Sequence, residues 1–487
     1  MRPLAGTDGA IHPFFSPDGQ WIGFLTVDHV KKIPRQGGTV ISLCEANTPV
    51  LAWWIQSDLI YFTETETYTL SRVAADGAKP EHVLSSPDVK ATRFDDVLPD
   101  GETALAERNS SIGGDFGDII HINLRTKETK VLVRSGYAAR YVPPGYVMFA
   151  RAGNLMAVQY DNSRGDIVGD PFTLASGVAM ESLFGMLHAT SSSTGISAYV
   201  PGGDLSVGKL AWIDRRGAVE YLNVPERVYG VVDLAPDGNR LAVQLADIKD
   251  YIWIWDFGRH EGRRVPSQVT EGWPLWSPDG RRLAGASQVA TRAESSILLH
   301  DIGPGGAVAA GSTLESKGRF ASGWSPMGDV LALTLFPAFG IEFLGMGKPV
   351  NAAGFEGVFP TFSPDGRWLA YESTQTGANE VFIRSFPEGK IVGQVSNESG
   401  SVEPRWKPSG DLYYRNGHRW FSIRVSTNPE TRWDPPRLVF DTEFIDTPGM
   451  SYDVSRDGQR LLVVKRARPI SSSKINLIVN WFDHADN

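Results

Sequence analysis

Short apolar runs bounded by turn residues recur along the whole chain. The clearest example is the stretch 362–371, which reads Phe-Ser-Pro-Asp-Gly-Arg-Trp-Leu-Ala-Tyr. Pro364 supplies the restricted backbone angle φ of a turn and Gly366 the positive φ that follows it, so the pattern predicts a tight reversal between two strands. The apolar run after the turn is typical of a strand covered on both faces. Turn and strand together form the repeat of this chain.

Copies of this repeat follow one another from one end of the chain to the other. The turn position falls at residues 17, 99, 236, 278, 326, 364, 408 and 456. The intervals from 17 to 99 and from 99 to 236 are too long for one repeat, and degenerate copies at 53–62, 141–148 and 191–199 fill them. Eight clear and three degenerate copies make eleven repeats. A period of about 40 to 45 residues built from strands and turns predicts propeller blades of four strands each.

Eleven blades exceed what one ring usually holds, since single propellers have mostly four to eight blades. The chain of 487 residues is also longer than one hydrophobic core supports. We therefore predict an all-β protein with tandem β-propellers, about five blades in residues 1–205 and about six in residues 206–487. The Gly-rich segment 201–208 lies at the predicted boundary.

The two chain ends bear on how the predicted rings close. The last repeat ends with an apolar strand at 475–482, and residues 1–5 have no hairpin partner in the sequence. An unpaired strand edge exposes its N–H and C=O groups, so some segment is expected to cover it. We expect the N-terminal residues through Ala5 to pair with an outer strand, either in the eleventh or in the fifth repeat.

Composition narrows the function classes. The net charge of −9 and the pI near 5.6 argue against a nucleic-acid-binding surface, which requires clustered Lys and Arg. Cys44 is the single cysteine, so an internal disulfide and a cysteine metal cage are excluded. The N-terminus lacks an apolar signal region, and no apolar run approaches the roughly 20 residues that span a bilayer. A complete chain of this kind is expected to be cytoplasmic and not to insert into a membrane.

The repeats resemble those of a known group of propellers. The Phe-Ser-Pro-Asp-Gly-x-Trp pattern is similar to the WD40-like repeats of TolB-type propellers. Residues 2–7 and 12–19 resemble the propeller region that follows the kinase domain in many bacterial serine/threonine protein kinases, as do 140–143, 452–455 and 475–482. This resemblance implies a sensor or scaffold module, which would be extracytoplasmic if the chain is part of a membrane-anchored kinase.

Catalytic signatures are missing from the sequence. Of the kinase motifs, only Asp-Phe-Gly occurs, at residues 115–117, and without its partner motifs it is predicted to be a hairpin loop. The Gly-x-Ser-x-Gly, His-Glu-x-x-His and Gly-x-Gly-x-x-Gly motifs are also absent. The sequence therefore favours a non-catalytic module that binds a peptide, a glycan, a small molecule or a partner protein, without a cofactor.

Polar residues occupy the start of the first strand in several repeats, where a propeller channel opens. When the repeats are aligned on the turn, two positions on this strand carry them. The position of Phe14 carries Asp96, Arg140, Thr190, Asp233, Arg405 and Asp453, and the position of His12 carries His188 and Glu403. We take Asp96, Arg140, Thr190, Asp233, Glu403, Arg405 and Asp453 as candidate ligand-binding residues. The alternative is that these side chains connect neighbouring blades by hydrogen bonds.

The two histidines leave a second function open. If His12 and His188 point into the same channel, they and Asp96 could hold a divalent metal such as Zn²⁺ that activates water, as in propeller lactonases. The protein would then be a metal-assisted hydrolase of esters, lactones or phosphotriesters. Carboxylates and carbonyl groups alone could instead hold Ca²⁺ in a channel.

Overall fold

The structure is a computed structural model. It describes residues 4–7, 9–26, 28–46, 49–64, 69–89, 91, 93–108, 117–183, 185–192, 194–246, 250–287, 295–303, 306–316, 318–335, 340–426, 431–466 and 474–484. The chain divides into two compact units, which are Met1–Asp204 with Ser471–Asn487 (unit 1) and Leu205–Ile470 (unit 2). Within these ranges the structure has 46 strands, a four-residue helix α1 (Ser86–Val89) and a 3-10 turn at Trp481–His484. None of the helices in the described ranges has the length and apolar character needed to cross a membrane.

Unit 1 contains five blades. Its strands are β1 (Ile11–Phe15), β2 (Trp21–Leu25), β3 (His29–Pro34) and β4 (Ile41–Glu45) in blade 1; β5 (Pro49–Trp54), β6 (Leu59–Glu64), β7 (Thr69–Ala74) and β8 (Glu81–Ser85) in blade 2; β9 (Arg93–Val97), β10 (Thr103–Arg108), β11 (Asp118–Asn123) and β12 (Thr129–Val133) in blade 3; β13 (Tyr137–Val142), β14 (Tyr146–Arg151), β15 (Asn154–Asp161) and β16 (Asp166–Ser176) in blade 4; and β19 (Ala189–Ser191), β20 (Ser197–Tyr199) and β46 (Asn476–Ile478) in blade 5. Between blades 4 and 5 in the sequence, β17 (Met180–Glu181) and β18 (Met186–Leu187) form a separate two-stranded sheet.

Unit 2 contains six blades. Its strands are β23 (Arg227–Leu234), β24 (Arg240–Ala246), β25 (Tyr251–Asp256) and β26 (Glu261–Arg264) in blade 6; β27 (Glu271–Trp276), β28 (Arg282–Ser287), β29 (Ser296–Ile302) and β30 (Val308–Glu315) in blade 7; β31 (Arg319–Trp324), β32 (Val330–Leu335), β33 (Gly340–Gly345) and β34 (Phe355–Glu356) in blade 8; β35 (Val358–Phe362), β36 (Trp368–Ser373), β37 (Glu380–Ser385) and β38 (Ile391–Gln394) in blade 9; β39 (Ser401–Trp406), β40 (Asp411–Asn416), β41 (Arg419–Ser426), β42 (Arg432–Trp433) and β43 (Arg437–Asp441) in blade 10; and β44 (Tyr452–Val454), β45 (Arg460–Lys465), β21 (Val207–Asp214) and β22 (Val219–Tyr221) in blade 11.

The predicted all-β architecture of tandem propellers is confirmed. Successive strands of a blade pair antiparallel in chain order, and most blades have four strands. In unit 2 the first strands of neighbouring blades pack side by side around the ring, from β23 through β27, β31 and β35 to β39, and β44 packs against β23. The first strand of each blade therefore lines the channel.

The repeated turn is stabilised by its own polar residues. In blade 7 the Ser277 hydroxyl donates to Asp279 (2.6 Å) and accepts from the Arg282 backbone N–H (2.9 Å). Gly280 has a φ of 65°, which a residue without a Cβ adopts at low cost. Because these bonds are local, Ser-Pro-Asp-Gly forms the same turn wherever it occurs.

Blades pack through the large residue that precedes the turn serine. Trp276 of blade 7 lies in one buried cluster with Ala242, Ile252 and Ile254 of blade 6. Trp406 of blade 10 likewise packs against blade 9. Blades 7 and 10 thus bury the end of their first strand against the blade before them.

Each unit completes its last blade with a segment from far away in the sequence. In blade 11, β21 from the start of unit 2 pairs with β45, with Leu210 opposite Val464. In blade 5, β46 pairs with β20, with Ala198 opposite Leu477. The segment 475–482, which the sequence assigns to the last repeat, therefore belongs to unit 1, although it lies within the range 206–487 predicted for the second propeller.

We predicted that the N-terminal residues through Ala5 pair with an outer strand, and the described part of this segment does not show such pairing. Leu4 and Ala5 belong to no strand, and residues 1–3 lie outside the described part of the chain. The free edge of blade 5 is covered by β46 instead. The predicted hairpin loop at 115–117 also falls largely outside the described residues, since 115 and 116 are not among them.

Candidate functional site

Three of the candidate residues meet in the channel of unit 2. Arg405 on β39 donates from Nη1 to Asp233 Oδ1 on β23 (2.7 Å) and to Asp453 Oδ2 on β44 (3.3 Å). Blade 11 lies between blades 10 and 6 in the ring. Arg405 of blade 10 therefore connects to both of the next two blades. Lys407, which follows β39, donates to Asp453 Oδ1. Two cations and two carboxylates thus form one charged cluster.

Both carboxylates of this cluster also accept backbone hydrogen bonds from neighbouring blades. Asp233 Oδ2 accepts from Trp276 N (2.7 Å), and Asp453 Oδ2 accepts from Leu234 N (2.9 Å). Asp453 Oδ1 accepts from Val454 N in addition (2.7 Å). The interpretation of these residues as connections between blades therefore holds for Asp233 and Asp453.

Burial and charge act in opposite directions on the acids. Burial raises the pKa of Asp233 to about 6, although the positive charge of Arg405 opposes the shift. Burial also acts to raise the pKa of Asp453, but Arg405 and Lys407 outweigh it and hold that pKa below its ordinary value. The pKa of Lys407 is lowered by burial. Asp453 is therefore the better ionised of the two acids.

The opposite side of the same channel is aromatic. The rings of Trp273 and Phe320 stack with their centroids 4.1 Å apart, and Phe359 lies 6.2 Å from Phe320. Trp273 starts the bulge of β27 and Phe359 that of β35, with φ values of 57° and 51°.

The preceding blade holds each of these bulges in place. The backbone N–H of Trp273 donates to Gln244 Oε1 (3.2 Å), and that of Phe359 donates to Thr334 Oγ1 (3.1 Å). A left-handed conformation is unfavourable for a large side chain, so it persists only where such bonds impose it.

The charged cluster and the aromatic wall line one cavity of about 390 Å³. Turn prolines from five blades contribute to its lining, namely Pro236, Pro278, Pro326, Pro364 and Pro408. A cavity of this size lies within the roughly 300–1,000 Å³ that ligand pockets in proteins occupy. Its two sides differ in chemistry, so a bound molecule would meet charge at one end and aromatic surface at the other.

Glu403 belongs to a separate buried network. Its carboxylate accepts from Arg415 Nε (2.8 Å) and from the Ser451 backbone N–H (2.8 Å). Its own backbone N–H donates to Glu372 (3.3 Å), and burial raises the pKa of Glu372 to about 8. Glu403 is thus a further connection between blades and is not among the residues that line the cavity.

The candidate residues of unit 1 are placed differently. Asp96 Oδ2 accepts from the Tyr141 backbone N–H (2.7 Å), and burial raises the pKa of Asp96 to about 6. Arg140 is exposed, and its charge lowers the pKa of both Asp96 and His12. Thr190 is exposed on β19. Asp96 therefore connects blades 3 and 4, and Arg140 acts on it through its charge.

The two histidines have different surroundings. Burial, and secondarily the charge of Arg140, lower the pKa of His12. His188 Nε2 lies 3.0 Å from Glu181 Oε1 on the neighbouring hairpin. Within the described ranges no three His, Cys, Asp or Glu side chains lie close enough together to hold a metal ion. The structure thus does not bring His12, His188 and Asp96 together as a metal site.

The sequence misses Lys407 and the aromatic wall. Lys407 occupies the turn position where Ser277, Ser325 and Ser363 stand in other blades, so its departure from serine is a signal. Trp273 and Phe359 also carry a signal, because each directly precedes a proline that stands three residues before the turn serine. His12 and Glu403 share this X-Pro pattern, which marks the bulge.

The comparisons with known proteins concern the fold. No family model and no curated relative matches the chain. Among solved structures, a candidate TolB of Agrobacterium tumefaciens is 16% identical over 54% of this chain and 100% of its own, with a TM-score of 0.41. The tricorn protease is 12% identical over 91% of this chain and 54% of its own, with a TM-score of 0.29. At these values no statement about function rests on either structure.

Proposed function

We propose that this protein is a non-catalytic binding module whose ligand site is the channel mouth of unit 2. The observation that carries the proposal is the cavity of about 390 Å³ with a charged cluster on one side and an aromatic wall on the other. Preformed pockets that combine apolar surface with a few convergent polar groups are the usual form of ligand sites. Binding of this kind requires no cofactor.

The resemblance to the propeller region of bacterial receptor-like serine/threonine kinases supports a sensor or scaffold role. The ligand would be a small molecule, or a side chain or terminus of a peptide, glycan or partner protein that enters the cavity. The net charge of −9 supports the proposal that nucleic acid is not a partner. The hydrolase alternative with His12, His188 and Asp96 gains no support, because these residues form no metal-binding group.

Removal of one aromatic residue tests the proposal. A chemically diverse fragment library is screened by ligand-observed NMR, and affinities of the hits are measured by calorimetry for wild type and for Phe359→Ala. We expect Phe359→Ala to lower the affinity of the hits by about tenfold or more, because losing about 1.4 kcal/mol of binding free energy through a lost aromatic contact lowers affinity tenfold. The matched control is Leu438→Ala, which changes an exposed apolar residue on the outer strand β43 and should leave the affinities unchanged. Hits that bind both variants equally would contradict the proposed site.

A further inference from the structure

The unused hydrogen-bonding capacity of the charged cluster lies mainly on its cations. Asp453 accepts four hydrogen bonds, from Arg405, Lys407 and two backbone N–H groups, which fills both carboxylate oxygens. The Lys407 ammonium has three N–H groups and donates one of them, to Asp453, among the contacts of the described residues. Arg405 Nε also has no acceptor in the part of the chain that the structure describes, but this atom is fully buried, so the free donors that face the cavity are mainly those of Lys407. The cluster therefore offers donors to a further group and few acceptors.

The cations are also the more accessible members of the cluster. The side chains of Arg405 and Lys407 retain 13% and 11% of their exposure, against 7% for Asp233 and 1% for Asp453. All four residues contribute to the lining of the cavity. A ligand in the cavity thus finds more accessible surface on the two cationic side chains than on the two carboxylates.

Lys407 is poorly solvated in this position. Burial lowers the pKa of its ammonium group, and a second negative charge beside it would offset this cost. An anion that accepts from an ammonium or a guanidinium forms a charge-assisted hydrogen bond, which is stronger than a neutral one. The polar side of the cavity is thus suited to an anionic acceptor.

The opposite side requires an apolar group on the same molecule. Trp273, Phe320 and Phe359 form a continuous aromatic wall, and Leu275 and Ala321 on two of the same strands also line the cavity. A small inorganic anion would leave this wall in contact with water only. An anion joined to an apolar body satisfies both sides.

We infer that the cavity of unit 2 binds a carboxylate attached to an aromatic or branched aliphatic body, with the carboxylate at Lys407 and Arg405 and the body against Trp273 and Phe359. This inference rests on the proposed function, because it names the ligand class of the same site. The carboxylate belongs either to a free organic acid or to the C-terminal residue of a peptide. Both sources present the same group to the same residues.

The test compares molecules that differ only in charge. Calorimetry measures the binding of 3-phenylpropanoate and of 3-phenylpropanamide to the full chain at low salt. We expect the carboxylate to bind at least tenfold more tightly than the amide, and the difference to shrink as salt screens the charges. Equal affinity of the two molecules, or a preference for the amide, would overturn the inference without any variant.

One substitution then locates the carboxylate. Lys407→Ser introduces the residue that other blades carry at this position, and Asp453 keeps Arg405 and two backbone donors as partners. We expect Lys407→Ser to lower the affinity for 3-phenylpropanoate by about tenfold and to leave the affinity for the amide unchanged. Lys390→Ser removes the same charge from an exposed turn and is the matched control. Equal effects of the two serine variants would contradict the placement.

The source of the carboxylate is decided by a second pair of probes. A tripeptide that ends in Phe and its C-terminal amide are measured in the same way. Tighter binding of the peptide acid than of 3-phenylpropanoate identifies a peptide C-terminus as the source, and the reverse order identifies a free acid. If neutral or cationic fragments bind in the cavity and neither acid does, the inference fails while the proposed site stands.

Discussion

Arg405 connects two carboxylates that belong to different blades of unit 2. Its guanidinium lies 2.7 Å from Asp233 and 3.3 Å from Asp453, and all three side chains are largely buried. Removing one partner of a buried ion pair leaves an uncompensated charge, which costs more than the pair contributes when intact. Arg405 is therefore a structural residue as well as part of the cavity lining.

Replacing Arg405 should destabilise unit 2 strongly. We expect Arg405→Met to lower the free energy of unfolding by about 3–5 kcal/mol, because Asp233 and Asp453 lose their shared cation. Arg424→Met, which removes an exposed arginine paired with Asp411, should cost less than about 1 kcal/mol. Urea denaturation compares the two variants with wild type. A loss below about 1 kcal/mol for Arg405→Met would show that the cluster is not the connection described.

Glu372 makes the stability of unit 2 depend on pH. Burial raises its pKa from an ordinary 4.5 to about 8, and Glu403, Arg415 and Asp446 are the charged groups around it. A carboxyl whose pKa is raised in the folded state stabilises the fold fully below pH 4.5, and this contribution is lost as the pH rises towards 8. The direction is opposite to that of an ordinary salt-bridged acid.

Glu372→Gln should remove this pH dependence. Between pH 5 and pH 8 we expect the stability of wild type to fall relative to that of the variant, by at most about 1.4 kcal/mol per pH unit. Urea denaturation at several pH values within this window measures the difference. Glu388→Gln, at an exposed turn, should give a curve parallel to wild type. Parallel curves for Glu372→Gln as well would contradict the raised pKa.

Part of the site could be predicted from single residues. Alignment of the repeats finds Asp233, Arg405 and Asp453 because their position relative to the turn places them on channel-lining strands. It does not separate them from Asp96, which has the same register, or from Glu403, which stands two positions earlier, although both of these connect other parts of the rings. Which polar residue faces a cavity depends on what the opposite blades contribute, and one repeat contains no information on that.

At the scale of elements, the turn depends on its own residues alone, whereas the bulge also depends on contacts with the preceding blade. Ser-Pro-Asp-Gly carries all its stabilising contacts within six residues, as Ser277, Asp279 and Arg282 show. The bulge at Trp273 requires Gln244 of the preceding blade as acceptor, and that at Phe359 requires Thr334. The sequence therefore places the strands correctly and misses the orientation of two side chains in the aromatic wall.

The last segment of the chain is the element that completes blade 5. Trp481 is 1% exposed and packs against Tyr146, with ring centroids 5.0 Å apart, and Phe482 stacks on the same tyrosine. This packing holds β46 on blade 5 and ties it to blade 4. The sequence predicts an apolar strand here, but the sequence of a strand does not show which other strand it pairs with.

Trp481→Ala tests this role of the C-terminal segment. We expect a loss of about 3–5 kcal/mol, as for other fully buried tryptophans, and a loss of hydrogen-exchange protection in β13–β16 and β20. The strands β35–β38 of unit 2 should keep their protection. Leu477→Ala, which changes a 66% exposed residue on β46 itself, should have an effect within about 0.5 kcal/mol. Unchanged protection of blade 4 in Trp481→Ala would contradict the assignment.

At the scale of the whole molecule, each unit is completed by chain segments that are distant in sequence. Blade 11 combines β44 and β45 with β21 and β22, so residues 207–221 are part of the ring of unit 2. The number of repeats predicts the number of blades, since every blade contributes its own turn. The closing strands carry no turn motif, and their pairing is decided by which edges remain free after the blades have formed.

Unit 2 should fold without the rest of the chain if its closing strands are present. We expect a fragment of residues 205–470 to unfold cooperatively, and a fragment of 227–470 to be unstable or to aggregate, because β45 then exposes a free edge. Circular dichroism during thermal unfolding and size-exclusion chromatography measure both properties. Equal stability of the two fragments would show that β21 and β22 do not complete the ring.

The central claim is that a ligand binds in the channel mouth of unit 2. The most direct measurement is a crystal structure of the protein soaked with its tightest-binding fragment. Our account predicts electron density for the fragment inside the cavity, in contact with Phe359 on one side and Lys407 on the other. Density for the fragment only outside this cavity, or only in unit 1, would contradict it.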